Sequence, residues 1–169
     1  MLIAIRKRLQ NKEEGFTLIE LMVVVLIIAI LIAIAIPTFL GARKRAQDRA
    51  VQSNIRNAFT AEKTIYTDAQ AYADTTSDFD GSGGFDLVEV EPSLTYVTTD
   101  PPTAVTGNNV TIVISATPVA GTVYVVAKSA SGACFYLRDS ATGATEYTKD
   151  TTGTCAASSA VTGWSSTPW

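Results

Sequence analysis

A chain of 169 residues has room for one ordinary domain and an appendage. It has no histidine and only two cysteines, so the side chain most used for acid–base work near neutral pH is missing and a cysteine-only zinc site cannot be built. Net charge is −3, and beyond Lys63 the only basic residues are Lys128, Arg138 and Lys149, too few to make a nucleic-acid surface of the C-terminal part. Composition therefore argues against an enzyme; no cofactor or metal is expected, and nucleic acid is not an expected partner.

Residues 1–15 are short and basic, with Arg6, Lys7, Arg8 and Lys12. The apolar block that follows includes LMVVVLIIAILIAIAI at residues 21–36, without a charge or a breaker. From residue 16 to 40 it would make a helix of roughly 37 Å, against about 30 Å of bilayer hydrocarbon. The remaining chain is too small to surround such a helix, so membrane insertion is the expectation. A cleavable signal peptide ending at Ala33-Ile34-Ala35 fits less well, because the apolar run is too long and the helical pattern continues past the cut. The leader bases put the N-terminus on the cytoplasmic side, although Arg43, Lys44 and Arg45 on the other flank oppose that rule.

Two residues are unusual for a plain membrane helix. Glu20 lies inside the apolar stretch, where a carboxylate costs about 2.5–3.5 kcal/mol on insertion scales. Either its head reaches water at the interface, or another group in the membrane supplies an ionic partner. Pro37, near the far end, removes a backbone donor and is expected to break or loosen the helix there.

Lys12-Glu13-Glu14-Gly15-Phe16-Thr17-Leu18-Ile19-Glu20 resembles the processing site of type IV prepilins and the related pseudopilins. The resemblance covers about the first 50 residues and joins a Gly-Phe junction, a Glu at fixed offset, an uninterrupted apolar helix and the proline. It implies that a prepilin peptidase cuts between Gly15 and Phe16 and that the new Phe16 amine is methylated. It also implies that Glu20 of one subunit meets the Phe16 amine of its neighbour in a helical homopolymer. Pairing them would relieve two buried charges at once and set the register of assembly. The implied partners are further copies of the chain, the peptidase, the membrane before assembly, and a membrane platform driven by a cytoplasmic ATPase. The implied location is a single-pass precursor in the cytoplasmic membrane, then an extracellular pilus of the kind used in adhesion, motility or secretion. Loss of residues 1–15 removes four positive and two negative side chains, leaving 9 against 14, or −5.

From residue 41 to 73, apolar or small residues at Ala42, Ala46, Ala50, Val51, Ile55, Ala58, Phe59, Ile65, Tyr66, Ala69 and Tyr72 mark one helical face. Arg49, Arg56, Lys63 and Asp68 mark the other. Residues 74–93 read as the loop between helix and sheet. Asp78, Asp80 and Asp86 within it do not match the spacing of a calcium-binding EF-hand loop, and an ordinary solvated turn is the expectation. Residues 94–169 read as a β module, with strand-like runs at 94–98, 110–116, 122–128, 133–138 and 145–148. Short connections there imply antiparallel neighbours. The expected fold is α+β, a long N-terminal helix packed on a small antiparallel sheet, as in type IV pilins.

Cys134 and Cys155 are expected to be oxidised to each other in an exported protein, and their placement resembles the C-terminal disulfide loop of many pilins; two buried free thiols are the alternative. Trp164 and Trp169 either pack on the sheet or form an exposed patch. Asn109-Val110-Thr111 has the N-glycosylation pattern. The reading is a structural subunit, a major type IV pilin. Its alternatives are the major pseudopilin of a type II secretion system, whose usual C-terminal Trp-Gly-x-Pro-Tyr-like stretch is not found here, and a minor pilin for DNA uptake, which the acidic balance opposes.

Overall fold

Small and apolar residues at three- and four-residue spacing build one long helix, α1 (Leu18–Ala69), in the computed structural model. The structure describes residues 15–70, 72, 87–97, 111–115, 122–140 and 143–169, with Ala69, Val97 and residues 111–115 given by backbone alone. The chain divides into one unit that ends at Ala42 and a second, Arg43–Trp169.

In the first unit the large apolar side chains of α1 are all exposed, the most covered, Val23, Ile28 and Ile32, still at 49%. By length and composition this segment could cross a membrane. The break expected at Pro37 is not an interruption, since α1 runs through it. A prolyl φ is itself helical, so what is lost is the single donor to the Ala33 carbonyl. One missing bond does not end a helix whose flanking turns are complete.

In the second unit α1 turns amphipathic at Val51. Val51, Ile55, Ala58, Ala61 and Ile65 are buried, with Phe59 and Tyr66 packed at the margin. Ala42, Ala46 and Ala50, assigned by spacing to the same face, are exposed, so apolar contact with the module begins about two turns later than periodicity suggests. The helix ends where Gln70 adopts φ 57°, a left-handed conformation that stops propagation while its amide still bonds the Tyr66 carbonyl at 2.9 Å. Within the segment expected to be loop, Leu87–Val90 forms one short turn, α2, whose Leu87 enters the core. Residues 74–86, with the aspartates weighed for calcium, lie outside the described residues, as does Asn109.

Among the described residues five strands form one sheet in sequence order: β1 (Thr95–Val97), β2 (Thr111–Ser115), β3 (Thr122–Lys128), β4 (Cys134–Ser140) and β5 (Glu146–Asp150). β2 to β5 are antiparallel as expected. β1 pairs with β2 in parallel, Thr95 opposite Thr111, which corrects the expectation for that pair. The chain between them, residues 98–110, is not a hairpin-length link, and a parallel pair needs a crossover of about a dozen residues.

Period-two alternation sorts β3 and β4 onto two faces. Val123, Val125 and Ala127, with Phe135 and Leu137 opposite them, face α1. Val126, Cys134 and Tyr136 face the other way, where Cys155, Val161 and Trp164 of the C-terminal segment cover them. β4 is thus buried on both sides, which is why its opening residues are a continuous apolar run rather than an alternation. The C-terminal segment also closes the outer edge of β5: Tyr147 and Ser165 exchange backbone hydrogen bonds of 2.7 and 3.0 Å.

Cys134 and Cys155 are joined, with Cα atoms 5.6 Å apart, and the bond ties the covering segment to β4. Closing a loop of this length contributes about 3 kcal/mol in the chain-entropy treatment. Replacing both cysteines by serine is expected to lower the unfolding free energy of the detergent-solubilised chain by about that amount, measured by urea titration.

Candidate functional site

The N-terminal end of α1 carries the residues singled out by sequence. Gly15 precedes the helix, and a Cβ added there would meet nothing within 4 Å among the described residues. Phe16 is 89% exposed. Thr17 is the N-cap: its backbone amide donates to the Glu20 carboxylate (Oε2) at 2.8 Å, its hydroxyl donates to the same oxygen at 2.7 Å, and its Oγ1 accepts from the Glu20 amide at 3.3 Å. This is a reciprocal capping box. Arguments from the burial cost of Glu20 pass over it, although the Thr-x-x-Glu spacing signals it. In the single chain, Glu20 therefore satisfies two donors at the helix start and is open to a further partner at its exposed surface.

Within the second unit two polar clamps tie α1 to the sheet. Near the start of their contact, one Asp48 carboxylate oxygen accepts from the Ser129 hydroxyl at 2.6 Å and from the Ser131 hydroxyl, both in the β3–β4 turn. That turn is made by Gly132 at φ 98°, where a side chain would be strained. Fifteen residues on, Lys63 Nζ donates to Asp139 Oδ2 at 2.5 Å and to the Tyr72 hydroxyl at 2.9 Å. Tyr72 donates to the same Asp139 oxygen at 2.5 Å, and Thr145 donates to Oδ1 at 2.6 Å. The Lys63 ammonium also lies 5.3–5.8 Å from the ring centres of Phe59, Tyr66 and Tyr72. Periodicity places Lys63 on the polar face, and the structure corrects this: its long stem reaches round the helix to a carboxylate that is only 4% exposed.

Burial alone would raise the Asp139 pKa, but hydrogen bonds from Lys63, Thr145 and Tyr72 outweigh it and hold the carboxyl below its ordinary value. Burial likewise works to lower Lys63, and its bonds to Asp139 and Tyr72 reverse that, holding the ammonium above its ordinary value. Burial, with Asp139 beside it, raises the Tyr72 phenol, which stays a donor.

Both tryptophans pack on the sheet. Trp169 stands edge-on to Phe135 and Tyr147 and donates Nε1 to the Thr148 carbonyl at 2.5 Å. Trp164 donates to the Val161 carbonyl at 2.9 Å and is covered by Arg138, 4.4 Å from its ring centre, which pairs with Glu146 at 2.7 Å. Among the described residues no three His, Cys, Asp or Glu side chains converge as a metal site.

Residues 10–36 match the family described as the prokaryotic N-terminal methylation motif. The chain is similar to the type IV major pilin protein PilA of Myxococcus xanthus, 39% identical over 67 residues, which are 40% of this chain and 30% of the relative. It is also similar to the type IV wide pilus major component PilA4 of Thermus thermophilus, 46% identical over 59 residues, 35% of this chain and 45% of the relative. The chain thus spans less than half the length of either relative it matches. No solved structure is a significant match. The motif match and both alignments cover less than half of this chain, and the relatives they point to are described as a type IV major pilin and a type IV wide pilus major component.

The depressed Asp139 pKa means that this carboxylate stabilises the fold above the ordinary carboxylate value, and that the contribution is lost as pH falls through its lower, folded value. The raised Lys63 pKa means that its contribution is complete below the ordinary ammonium value and is lost as pH rises through its higher, folded value. Asp139→Asn is therefore expected to lower stability at neutral pH by about 1.5–3 kcal/mol and to flatten part of the acid limb, read from urea unfolding across pH.

Proposed function

We propose that the chain is a structural subunit, a major pilin, of a type IV pilus-like surface filament. The observation that carries this reading is the apolar, exposed first part of α1, which opens on the capped Gly15-Phe16-Thr17 junction. Such a surface needs lipid or sister helices, and the first suits a precursor while the second suits a polymer. The precursor is held in the cytoplasmic membrane with residues 1–15 inside. A prepilin peptidase removes them and methylates Phe16. Among the described residues Gly15 meets no neighbour that would demand a glycine, which supports a small residue read by the enzyme rather than by the fold. A membrane platform powered by a cytoplasmic ATPase then moves the subunit into the growing filament. The chain performs no catalysis; its work is packing.

In the filament the Phe16 amine of one subunit meets Glu20 of its neighbour. Glu20 enters that contact already oriented by Thr17, so side-chain freedom is spent once, in the single chain. The curated relatives are described as pilus components, and this supports a pilin over a secretion pseudopilin.

Intact-mass measurement of the subunit in sheared surface fibres should give a chain that lacks residues 1–15, begins at Phe16 and carries one added methyl group. A mature terminus at Ile36 would replace this reading with ordinary signal-peptide cleavage. Glu20→Ala should leave the protein inserted and processed, because the burial cost of a carboxylate is gone, yet strongly reduce filament mass, because the neighbour's amine loses its partner in an apolar medium. Normal filament yield from that variant would confine Glu20 to helix capping.

A further inference from the structure

The basic cluster just beyond the apolar segment is used by neither the fold nor the assembly contact. Arg43, Lys44, Arg45 and Arg49 are exposed, and among the described residues none takes part in an ion pair. Between Glu20 and Glu62 the only carboxylate is Asp48, and its charge is turned to the hydroxyls of Ser129 and Ser131. Arg56, the next base along α1, is already placed over the Trp169 ring at 5.8 Å. The four therefore lie within seven residues that hold one opposing charge, Asp48, ahead of Val51, where the apolar contact of α1 with the sheet begins.

Their arrangement indicates what they meet. Consecutive helical residues are set about 100° apart, so Arg43, Lys44 and Arg45 radiate in three directions and Arg49 falls near Arg45. A protein partner approaches from one side, whereas a collar of this kind suits a medium that surrounds the helix. With the apolar stretch ending at Leu40, that medium is the headgroup layer of the outer leaflet, provided the precursor is oriented as proposed above. Bases on this flank oppose the usual orientation rule. They gain where anionic lipid is present, because each base near the surface is attracted to the negative headgroups.

We propose that Arg43, Lys44, Arg45 and Arg49 form a collar that binds anionic phospholipid headgroups and holds the membrane-inserted subunit until it is drawn into a filament. The inference rests on the membrane-inserted precursor. The test is spin-labelled lipid association with the full chain reconstituted in phosphatidylcholine vesicles, comparing labelled phosphatidylglycerol with labelled phosphatidylcholine. The R43Q/K44Q/R45Q/R49Q variant should show a preference for phosphatidylglycerol at least about fivefold smaller than the parent, and 1 M salt should erase most of the difference. The leader bases are common to both proteins and cancel in the comparison. A parent and variant that integrate equally and show the same lipid preference would overturn the collar while leaving the pilin reading intact. Failure of the parent to integrate at all would count against that reading itself. Reduced filament yield from the variant with unchanged lipid selectivity would assign the four cations to a neighbouring copy, and would also overturn the proposal.

Discussion

An apolar helix that its own chain cannot cover sets the terms for everything else in this protein. Apolar surface is worth roughly 25 cal/mol for each Å² removed from water, so a stretch with every large side chain exposed is stable only in another environment. The residue types obey that constraint with few exceptions. The charge inside the stretch, Glu20, sits in the first turn, where an acidic side chain complements the helix start and bonds Thr17. Pro37 is tolerated because a helix in an apolar medium keeps the bonds it has. The basic block begins only after Leu40.

The module solves a different problem with the same helix. A five-stranded sheet offers two faces, and α1 can cover only one. The second face is covered by a segment poor in regular structure, held by the Cys134–Cys155 bond and by the Tyr136 hydroxyl, which donates to the Ala156 carbonyl at 3.0 Å. The module's last residues do the work of another layer.

Much of this was legible in the sequence, for identifiable reasons. The unbroken run at residues 21–36, the three-four spacing from Ala42 and the β-branched runs between Gly and Pro are local signals; the elements formed where those signals lay, though the helix buries that face only from Val51 on. What escaped was decided by reach or by distant partners. Lys63 looks like a surface residue at its position on the wheel, and only the placement of Asp139, 76 residues away, turns it inward. The parallel pairing of β1 with β2 depends on how a long link is routed, which composition does not encode. Trp164 and Trp169 could not be placed because the two opposite faces they pack on exist only after β3, β4 and β5 have paired. At the candidate site, Gly15, Phe16 and Glu20 were visible by motif, while the capping geometry required attention to Thr17, a residue with no unusual burial or charge.

The two polar clamps have a mechanical meaning. Asp48 and Lys63 lie about 22 Å apart along the helix, and they meet opposite ends of the same strand, the turn before β4 and Asp139 near its end. Helix and strand therefore run side by side in the same direction, fastened at both ends with the apolar contact between. A pull along α1 loads this contact in shear. Both clamps and every intervening side chain resist together, and none can be peeled off before the next. Tension carried along a polymer of such subunits would reach each module along its strongest axis.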